Sequence, residues 1–143
     1  MFQGCTNLTE VEIGCDTETI DKGAFYGCKI LENINVLVDE NKTSNLKSIG
    51  QNAFYECESL NMENLFSNID SVKSIGNNAF ENCSLNLCNT ITIPNSVSSI
   101  GTNCFKNSGI EKIYIRDTKD KYREVLVSSF VENDDSIDGT KGY

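Results

Sequence analysis

Histidine and tryptophan are both absent from this chain of 143 residues. Without histidine there can be no Ser-His-Asp triad, no Cys-His nucleophile pair and no histidine-containing zinc site. General acid or base chemistry would then fall to carboxylates, lysine or tyrosine. No paired acids occur in a recognisable setting, and no phosphate-binding glycine motif is present. The sequence therefore predicts a protein with no catalytic residues and no cofactor.

Positive charge is also scarce, since 12 Lys and Arg against 21 Asp and Glu give a net charge of −9. Such a surface does not neutralise phosphates, so we expect no nucleic-acid partner. No apolar run approaches the roughly 18 residues of a membrane-spanning helix, so no membrane insertion is expected. The N-terminal MFQGCTNLTE shows neither a basic nor an apolar leader, so no signal peptide is visible. Because the chain opens inside a repeat, it can also be a fragment.

A phenylalanine recurs through the chain with its neighbours, at spacings of 23 to 29 residues. A period of this length is typical of a stacked solenoid. The recurring phenylalanines are Phe2, Phe25, Phe54, Phe80 and Phe105. A small residue precedes each of the later four, namely Ala24, Ala53, Ala79 and Cys104. Three residues after the ring the position is again small: Cys5, Cys28, Cys57, Cys83 and Ser108.

Each repeat also carries a turn signal and a strand signal. An isoleucine lies five residues before the ring. The next position is occupied by Asp21, Gly50, Gly76 or Gly101. The position two residues before the ring is occupied by Gly23, Asn52, Asn78 or Asn103. These residue types accept positive φ and tight turns. Beyond the ring, alternation of β-branched residues predicts short half-buried strands at VEI, INV, ITI and IYI.

The block ITIPNSVSSIGTNCFKNSGIEKIYI (Ile91–Ile115) resembles the repeat of BspA-like leucine-rich-repeat surface proteins. The resemblance extends over Phe2 to Arg116. It implies a β-rich, right-handed leucine-rich-repeat solenoid with one short parallel strand per turn. We expect this solenoid to occupy residues 1–116, in about five turns of which the first is incomplete.

Two segments break the repeat. The polar stretch Val38–Asn45 lengthens one turn and is expected to form a surface loop. Residues 60–72 show no clean alternation, so no strand is assigned there, although Leu65 and Phe66 are expected to be buried.

The chain changes character after the repeats. Residues 117–130 place apolar side chains on one helical face and predict a capping helix over the last turn. Residues 131–143 are polar and are expected to be disordered. The tail motif DDSIDG matches the first half of a calcium loop, but the bidentate glutamate would fall beyond residue 143. We therefore predict no metal site.

Seven cysteines raise the question of disulfides. Four of them share a column with Ser108, which favours a slot selected for small size and hence buried thiols. Stacked neighbours about 5 Å apart could in principle form disulfides. The odd number of cysteines, with no C-x-x-C motif, favours thiols. Of the sequons at Asn7, Asn41 and Asn82, only Asn41 in the long loop is a credible glycan acceptor.

The outward strand positions are the candidate ligand-binding residues, because a solenoid presents them as one surface. They are Glu10, Glu12, Asn33, Asn35, Thr90, Thr92, Lys112, Tyr114 and Arg116. The resemblance implies a non-catalytic module for adhesion to host or matrix proteins at the cell surface or after secretion. An intracellular scaffold that uses the same surface is the alternative, and a cytoplasmic location stays open with it. The open first turn at Phe2 also predicts self-association.

Overall fold

The computed structural model describes residues 1–67, 69–84, 90–118 and 121–125, which form a β-rich solenoid of stacked turns. The predicted fold class is confirmed. In chain order the elements are β1 (Glu10–Ile13), β2 (Thr19–Ile20), β3 (Asn33–Val36), β4 (Ser48–Ile49), α1 (Met62–Ser67), β5 (Ser74–Ile75), β6 (Thr90–Ile93), β7 (Ser99–Ile100), β8 (Lys112–Thr118) and β9 (Lys121–Val125).

The four predicted strands are confirmed as β1, β3, β6 and β8. β1 pairs in parallel with β3, and β6 pairs in parallel with β8. Alternate residues of each strand point into the core, as in Ile34 and Ile113, which are fully buried. The period of two in the sequence thus marks the buried side of these strands correctly.

A second parallel sheet runs through the solenoid and was not expected. It consists of β2, β4, β5 and β7 in that order, each only two residues long. The second residue of each is the corner isoleucine of the repeat: Ile20, Ile49, Ile75 and Ile100, all 3% exposed or less. Each of these four corners therefore adds a short strand, with its own hydrogen bonds to the next turn.

The phenylalanines form a continuous stack along the axis. Consecutive ring centroids from Phe2 to Phe105 lie 5.2–5.6 Å apart, with interplanar angles of 3–10°. The backbone N–H of Phe54 donates to the carbonyl of Ala79 in the next turn at 2.8 Å. Stacked aromatic pairs contribute about 0.5 to 1.5 kcal/mol each beyond their burial. The stack therefore follows the spacing that the backbone hydrogen bonds between turns set, and it fills the core.

Two left-handed residues flank each ring from Phe25 onward. The first group lies two residues before the ring and was predicted to form a turn. Its members have φ between 54 and 64°: Gly23, Asn52, Asn78 and Asn103. The second group follows two residues after the ring and was missed: Gly27, Glu56, Asn82 and Asn107, at 55 to 71°. The ring is thus held between two sharp backbone reversals, which asparagine and glycine tolerate best.

The glycines after the corner isoleucines serve a different purpose from the one expected. A Cβ at Gly76 would lie 2.5 Å from the backbone nitrogen of Gln51, and one at Gly101 would lie 2.3 Å from that of Asn77. A Cβ at Gly50 would likewise lie 2.6 Å from the backbone nitrogen of Lys22. These glycines are required because the preceding corner approaches too closely for any side chain.

Helix α1 replaces the strand of the third turn. Its buried residues Met62, Leu65 and Phe66, with Ile69 beyond it, follow the helical spacing of three and four residues. The side chain of Asn61 caps the helix, since its Oδ1 accepts the N–H of Asn64 at 3.1 Å. Leu65 and Phe66 are buried, as predicted. α1 packs against both β3 and β6.

The capping helix predicted over residues 117–130 is wrong for the part that the structure describes. β8 continues to Thr118, and β9 pairs with it in antiparallel fashion, Tyr114 lying opposite Glu124. The physical reason is that β8 would otherwise expose a row of unpaired backbone groups, which a returning strand satisfies. Residues 126–130 and the predicted disordered tail, 131–143, lie outside the described residues.

Candidate protein-binding face

Two small patches make up the predicted binding face. In the first, the acidic patch, Glu10 lies beside Asn33 and Glu12 beside Asn35 in the β1–β3 register. Both glutamates are exposed and both asparagines are half-buried. The Asn35 amide nitrogen donates a hydrogen bond to Oε1 of Glu10. This patch is therefore a row of carboxylate and amide groups held on a rigid ladder.

The second patch, the tyrosine patch, lies on β6 and β8. Thr90 is beside Lys112 and Thr92 beside Tyr114 in that register. Lys112 is exposed, and the other three are half-buried. Arg116 belongs to β8, but its side chain lies outside the described part of the chain. The tyrosine patch thus combines hydroxyl groups, an aromatic ring and a cation.

The sequence predicted one continuous face, and the structure divides it. β1–β3 and β6–β8–β9 are separate sheets, and α1 stands between β3 and β6. The structure therefore brings Glu10, Glu12, Asn33 and Asn35 together, and separately Thr90, Thr92, Lys112 and Tyr114, but it does not join the two groups.

Sequence reasoning missed a stacked tyrosine pair on another side of the solenoid. Tyr26 and Tyr55 follow the core phenylalanines by one residue, and their ring centroids are 4.8 Å apart at 11°. Glu81 and Lys106 occupy the same column in the next two turns, with Lys106 Nζ 3.8 Å from Glu81 Oε1. Burial raises the pKa of Tyr55, and the Glu81 carboxylate adds to this effect. The sequence signal for this column was that Tyr26 and Tyr55 occupy the same position of their repeats, directly after the phenylalanine.

The cysteine column contributes hydrogen bonds to the core. The thiols of Cys28, Cys57 and Cys83 donate to the carbonyls of Phe2, Phe25 and Phe54, with Sγ···O distances of 3.0, 3.1 and 2.9 Å. Each bond joins a turn to the one before it. Each cysteine therefore fills a small space in the core and also donates a hydrogen bond to a backbone carbonyl.

Burial strongly disfavours the thiolate in this column. It raises the pKa of Cys57 to about 12, and it raises the pKa of Cys83 well above its ordinary value. Cys104, in the small position before Phe105, has a pKa raised by the same cause. Among the described cysteines all six are free, and Cys88 lies outside that part. Such thiols are poor nucleophiles and poor metal ligands.

Two negative findings concern the described ranges only. Within them, no group of three or more Cys, Asp or Glu side chains could hold a metal ion. No helix in the same part of the chain is long and apolar enough to cross a membrane.

The sequence matches the profile of the BspA type leucine-rich repeat region over residues 1–111 and 47–133. The two matches together span well over half of the 143 residues. The chain belongs to this repeat family. The stacked phenylalanines, the corner isoleucines and the small cysteine column are how a BspA-type repeat is realised in these turns. The predicted resemblance is confirmed, and the family's fold is one that mediates protein interaction.

A crystal structure similar to this chain is that of a leucine-rich cell surface protein from Faecalibacterium prausnitzii A2-165. The two sequences are 26% identical, and the TM-score is 0.36. The match covers 78% of this chain and 40% of the other, so this chain spans less than half the length of that protein. No curated protein matches the sequence.

Proposed function

We propose that this BspA-type solenoid is a protein-recognition module without catalysis of its own. The observation that carries the proposal is the in-register arrangement of polar side chains, some exposed and some half-buried, on β1–β3 and on β6–β8. Backbone ladders and the buried aromatic stack fix these side chains, so a partner would meet a preorganised surface and lose less entropy on binding.

Of the two patches, the tyrosine patch is the stronger candidate for the main contact. Tyr114 is half-buried and lies between Thr92 of β6 and Glu124 of β9 in the register of the sheet. Tyrosine is enriched at interfaces because it offers a large, rigid contact area with a polar tip. The acidic patch would add electrostatic selection for the partner rather than most of the affinity.

Membership of the BspA-type family supports a cell-surface or secreted protein that adheres to host or matrix proteins. Recognition of this kind needs an exposed, stable surface rather than a deep pocket. The family's repeat supplies such a surface.

The test is adhesion of the purified chain to immobilised extracellular-matrix proteins and to cultured host cells. Wild type is compared with Thr92→Glu/Tyr114→Ala on the face and with Glu58→Lys at an exposed residue outside both patches. We expect binding that falls at least tenfold in the face variant and is retained in the Glu58 variant. Equal binding by all three proteins, or none by wild type, would contradict the proposal.

An intracellular scaffold that uses the same face is the second candidate, and the thiol column favours it. The hydrogen bonds of Cys28, Cys57 and Cys83 require the reduced thiol. Reduced cysteines persist in reducing compartments. Thiol counting on protein from its natural source, without reductant and in denaturant, separates the two. Seven titratable thiols favour the scaffold; fewer than seven show that the chain has met an oxidising compartment.

A further inference from the structure

An exposed apolar pair lies at the end of β3. Leu37 is 43% exposed and Val38 is 47% exposed, whereas Ile34 and Val36 within the strand are buried. The pair directly follows β3 and begins the long loop. β1 lies beside β3 on one side and α1 packs against it as well, so the pair is not at an end of the stack.

Leu37 continues the outward side of β3, two residues beyond Asn35. Its N–H donates to the carbonyl of Ile13 at 2.9 Å, so the β1–β3 register extends one residue past the strands. That register places Gly14 beside Leu37. Because glycine has no side chain, its position leaves the leucine uncovered.

Carboxylates lie along the same outward row. Glu10 and Glu12 are exposed on β1, and the amide of Asn35 donates a hydrogen bond that fixes the Glu10 carboxylate. In the loop, exposed Glu40 and Lys42 offset one another, so Glu10 and Glu12 set the charge of this surface. Alternate residues of a strand are about 6.6 Å apart. The row therefore presents two carboxylates and then an apolar spot at equal intervals.

Asp39 holds the loop after the pair closed. Its carboxylate accepts the N–H groups of Asn41 and Thr43 and the hydroxyl of Thr43, at 2.8–2.9 Å. The N–H of Asp39 donates to the carbonyl of Thr43, and the N–H of Lys42 donates to the carbonyl of Asp39. The hydrogen bonds from Thr43 lower the pKa of the Asp39 carboxyl. The loop is thus a closed turn, which fixes the direction in which Val38 leaves β3.

We propose that this surface docks an extended basic segment of a partner protein. One large apolar side chain of the segment packs on Leu37 and Val38, and its Lys or Arg side chains pair with Glu10 and Glu12. An apolar patch beside charged groups is typical of a protein-interaction site, and complementary charge selects the partner. The inference rests on the protein-recognition function proposed above and names the chemistry of the partner.

The equal intervals of the row match an extended segment. In such a segment the side chains on one side recur every two residues, at the same distance as in the row. A helix instead brings side chains three and four residues apart onto one face. The two kinds of occupant therefore need different sequences, and peptides distinguish them.

A second copy of this chain is the competing occupant. Leu37 packed on Leu37 of another copy would bring Glu10 and Glu12 of both copies together, and like charges facing each other are unfavourable. Two chains of net charge −9 also repel one another. Sedimentation of wild type and Leu37→Ser measures this alternative. A wild-type dimer that Leu37→Ser dissociates would overturn the proposal.

The experiment uses the full chain and four synthetic peptides with blocked ends. The probe, KSKSLSKSK, alternates Ser with Lys and a central Leu, and its order is the same in both directions. KKSSLSSKK has the same composition and charge but places Lys three and four residues from Leu. KSKSSSKSK lacks the apolar residue, and ESESLSESE reverses the charge.

We expect the probe to bind, measured by calorimetry or fluorescence anisotropy, and each of the other three peptides to bind at least fivefold more weakly. Equal affinity for KKSSLSSKK would overturn the extended arrangement. Equal affinity for KSKSSSKSK would overturn the contact with Leu37 and Val38. No binding of the probe at millimolar concentration would overturn the whole inference.

Matched variants locate the site. Leu37→Ser should weaken binding of the probe at least fivefold, whereas Ile30→Ser, at a residue that is also 43% exposed but precedes β3, should not. Glu12→Gln should weaken it at least threefold, whereas Glu58→Gln, with the same change in net charge, should not. Equal effects within either pair would place the peptide elsewhere on the molecule and contradict the proposal.

Asp39 is a positioning residue, because it closes the loop and does not belong to the row. Asp39→Ala removes the acceptor of the loop N–H groups and should weaken probe binding about threefold, with little change in the free energy of unfolding. Asp39→Asn keeps Oδ1 as an acceptor and should restore most of the affinity. Equal losses in the two variants would contradict the positioning role.

Failure of this inference and failure of the proposed function are distinguishable. The face variant Thr92→Glu/Tyr114→Ala should bind the probe as wild type does. A chain that binds the probe but does not adhere to matrix proteins would contradict the proposed function alone. A chain that adheres but does not bind the probe would contradict the inference alone.

Discussion

The thiol of Cys57 donates a hydrogen bond of 3.1 Å to the carbonyl of Phe25, one turn earlier in the stack. The same relationship joins Cys83 to Phe54 and Cys28 to Phe2. A column that reads in the sequence as a slot for small residues is therefore also a set of links between turns. The links exist only while the thiols keep their protons.

Stability should consequently fall in alkaline solution. The folded pKa of Cys57 is raised to about 12, against about 8.5 in an unfolded chain. Its contribution is fully present below about pH 8.5 and is lost as the pH rises toward 12, because the unfolded state releases the proton first. Between about pH 8.5 and 12, the free energy of unfolding of Cys57→Ser should fall less steeply with pH than that of wild type, by up to about 1.4 kcal/mol per pH unit. Urea unfolding of reduced protein at pH 8, 9.5 and 11 measures it; identical slopes in the two proteins would refute the assignment.

A methyl group at Gly76 should damage the fold severely. Its Cβ would lie 2.5 Å from the backbone nitrogen of Gln51, and backbone cannot move aside as a side chain can. We expect Gly76→Ala to lower the free energy of unfolding by about 3 kcal/mol. Asp21→Ala, at the equivalent position of the first corner, should change it by less than about 0.5 kcal/mol. Urea unfolding of both variants tests the pair, and a mild effect at Gly76 would contradict the close approach.

The aromatic stack should be strongest in its middle. Phe54 is fully buried between Phe25 and Phe80, and Phe54→Ala should cost about 3 to 5 kcal/mol. Phe2 is 48% exposed and has one stacked neighbour, so Phe2→Ala should cost about 1 kcal/mol. Thermal or urea unfolding ranks the two variants. Equal losses would mean that the stack does not carry the stability assigned to it.

One substitution should stabilise the protein. Glu56 has φ of 59° in a column otherwise occupied by Gly27, Asn82 and Asn107. A side chain other than Gly or Asn is strained there, so Glu56→Gly should raise the free energy of unfolding by about 0.5 to 1 kcal/mol. Glu58→Gly is the control, because that residue does not have positive φ and should lose stability through chain entropy and through the loss of its ion pair with Lys29. A gain in the control, or a loss in Glu56→Gly, would contradict the argument.

The repeated positions made most of the fold predictable. The rings, the small slots and the alternating strands are each specified within one turn, and stacking reproduces them in the next. Residues 60–72 show no alternation, and the helical spacing of Met62, Leu65, Phe66 and Ile69 is the signal from which α1 could have been predicted. The sheet of β2, β4, β5 and β7, which we call the corner sheet, was not predicted because a two-residue strand is too short to show alternation.

Features set by contacts between distant elements were less accessible. The segment after β8 has helical apolar spacing, yet pairing with an exposed edge determines its conformation in the described part, and that edge exists only once the turns have stacked. The division of the predicted binding face had the same origin, because α1 separates its two halves only once folding has placed it between β3 and β6. Local pattern therefore identified the outward residues without revealing that they form two groups.

The helix in the third turn also affects the stiffness of the molecule. The corner sheet runs unbroken through β2, β4, β5 and β7, whereas the strand side is interrupted at α1. Bending that opens the strand side stretches side-chain packing around α1 and leaves the corner hydrogen bonds intact. We therefore expect the separation between the acidic patch and the tyrosine patch to be the dimension of the solenoid that changes most easily. On the function proposed above, a partner that contacts both patches would adjust that distance to its own shape at little energetic cost.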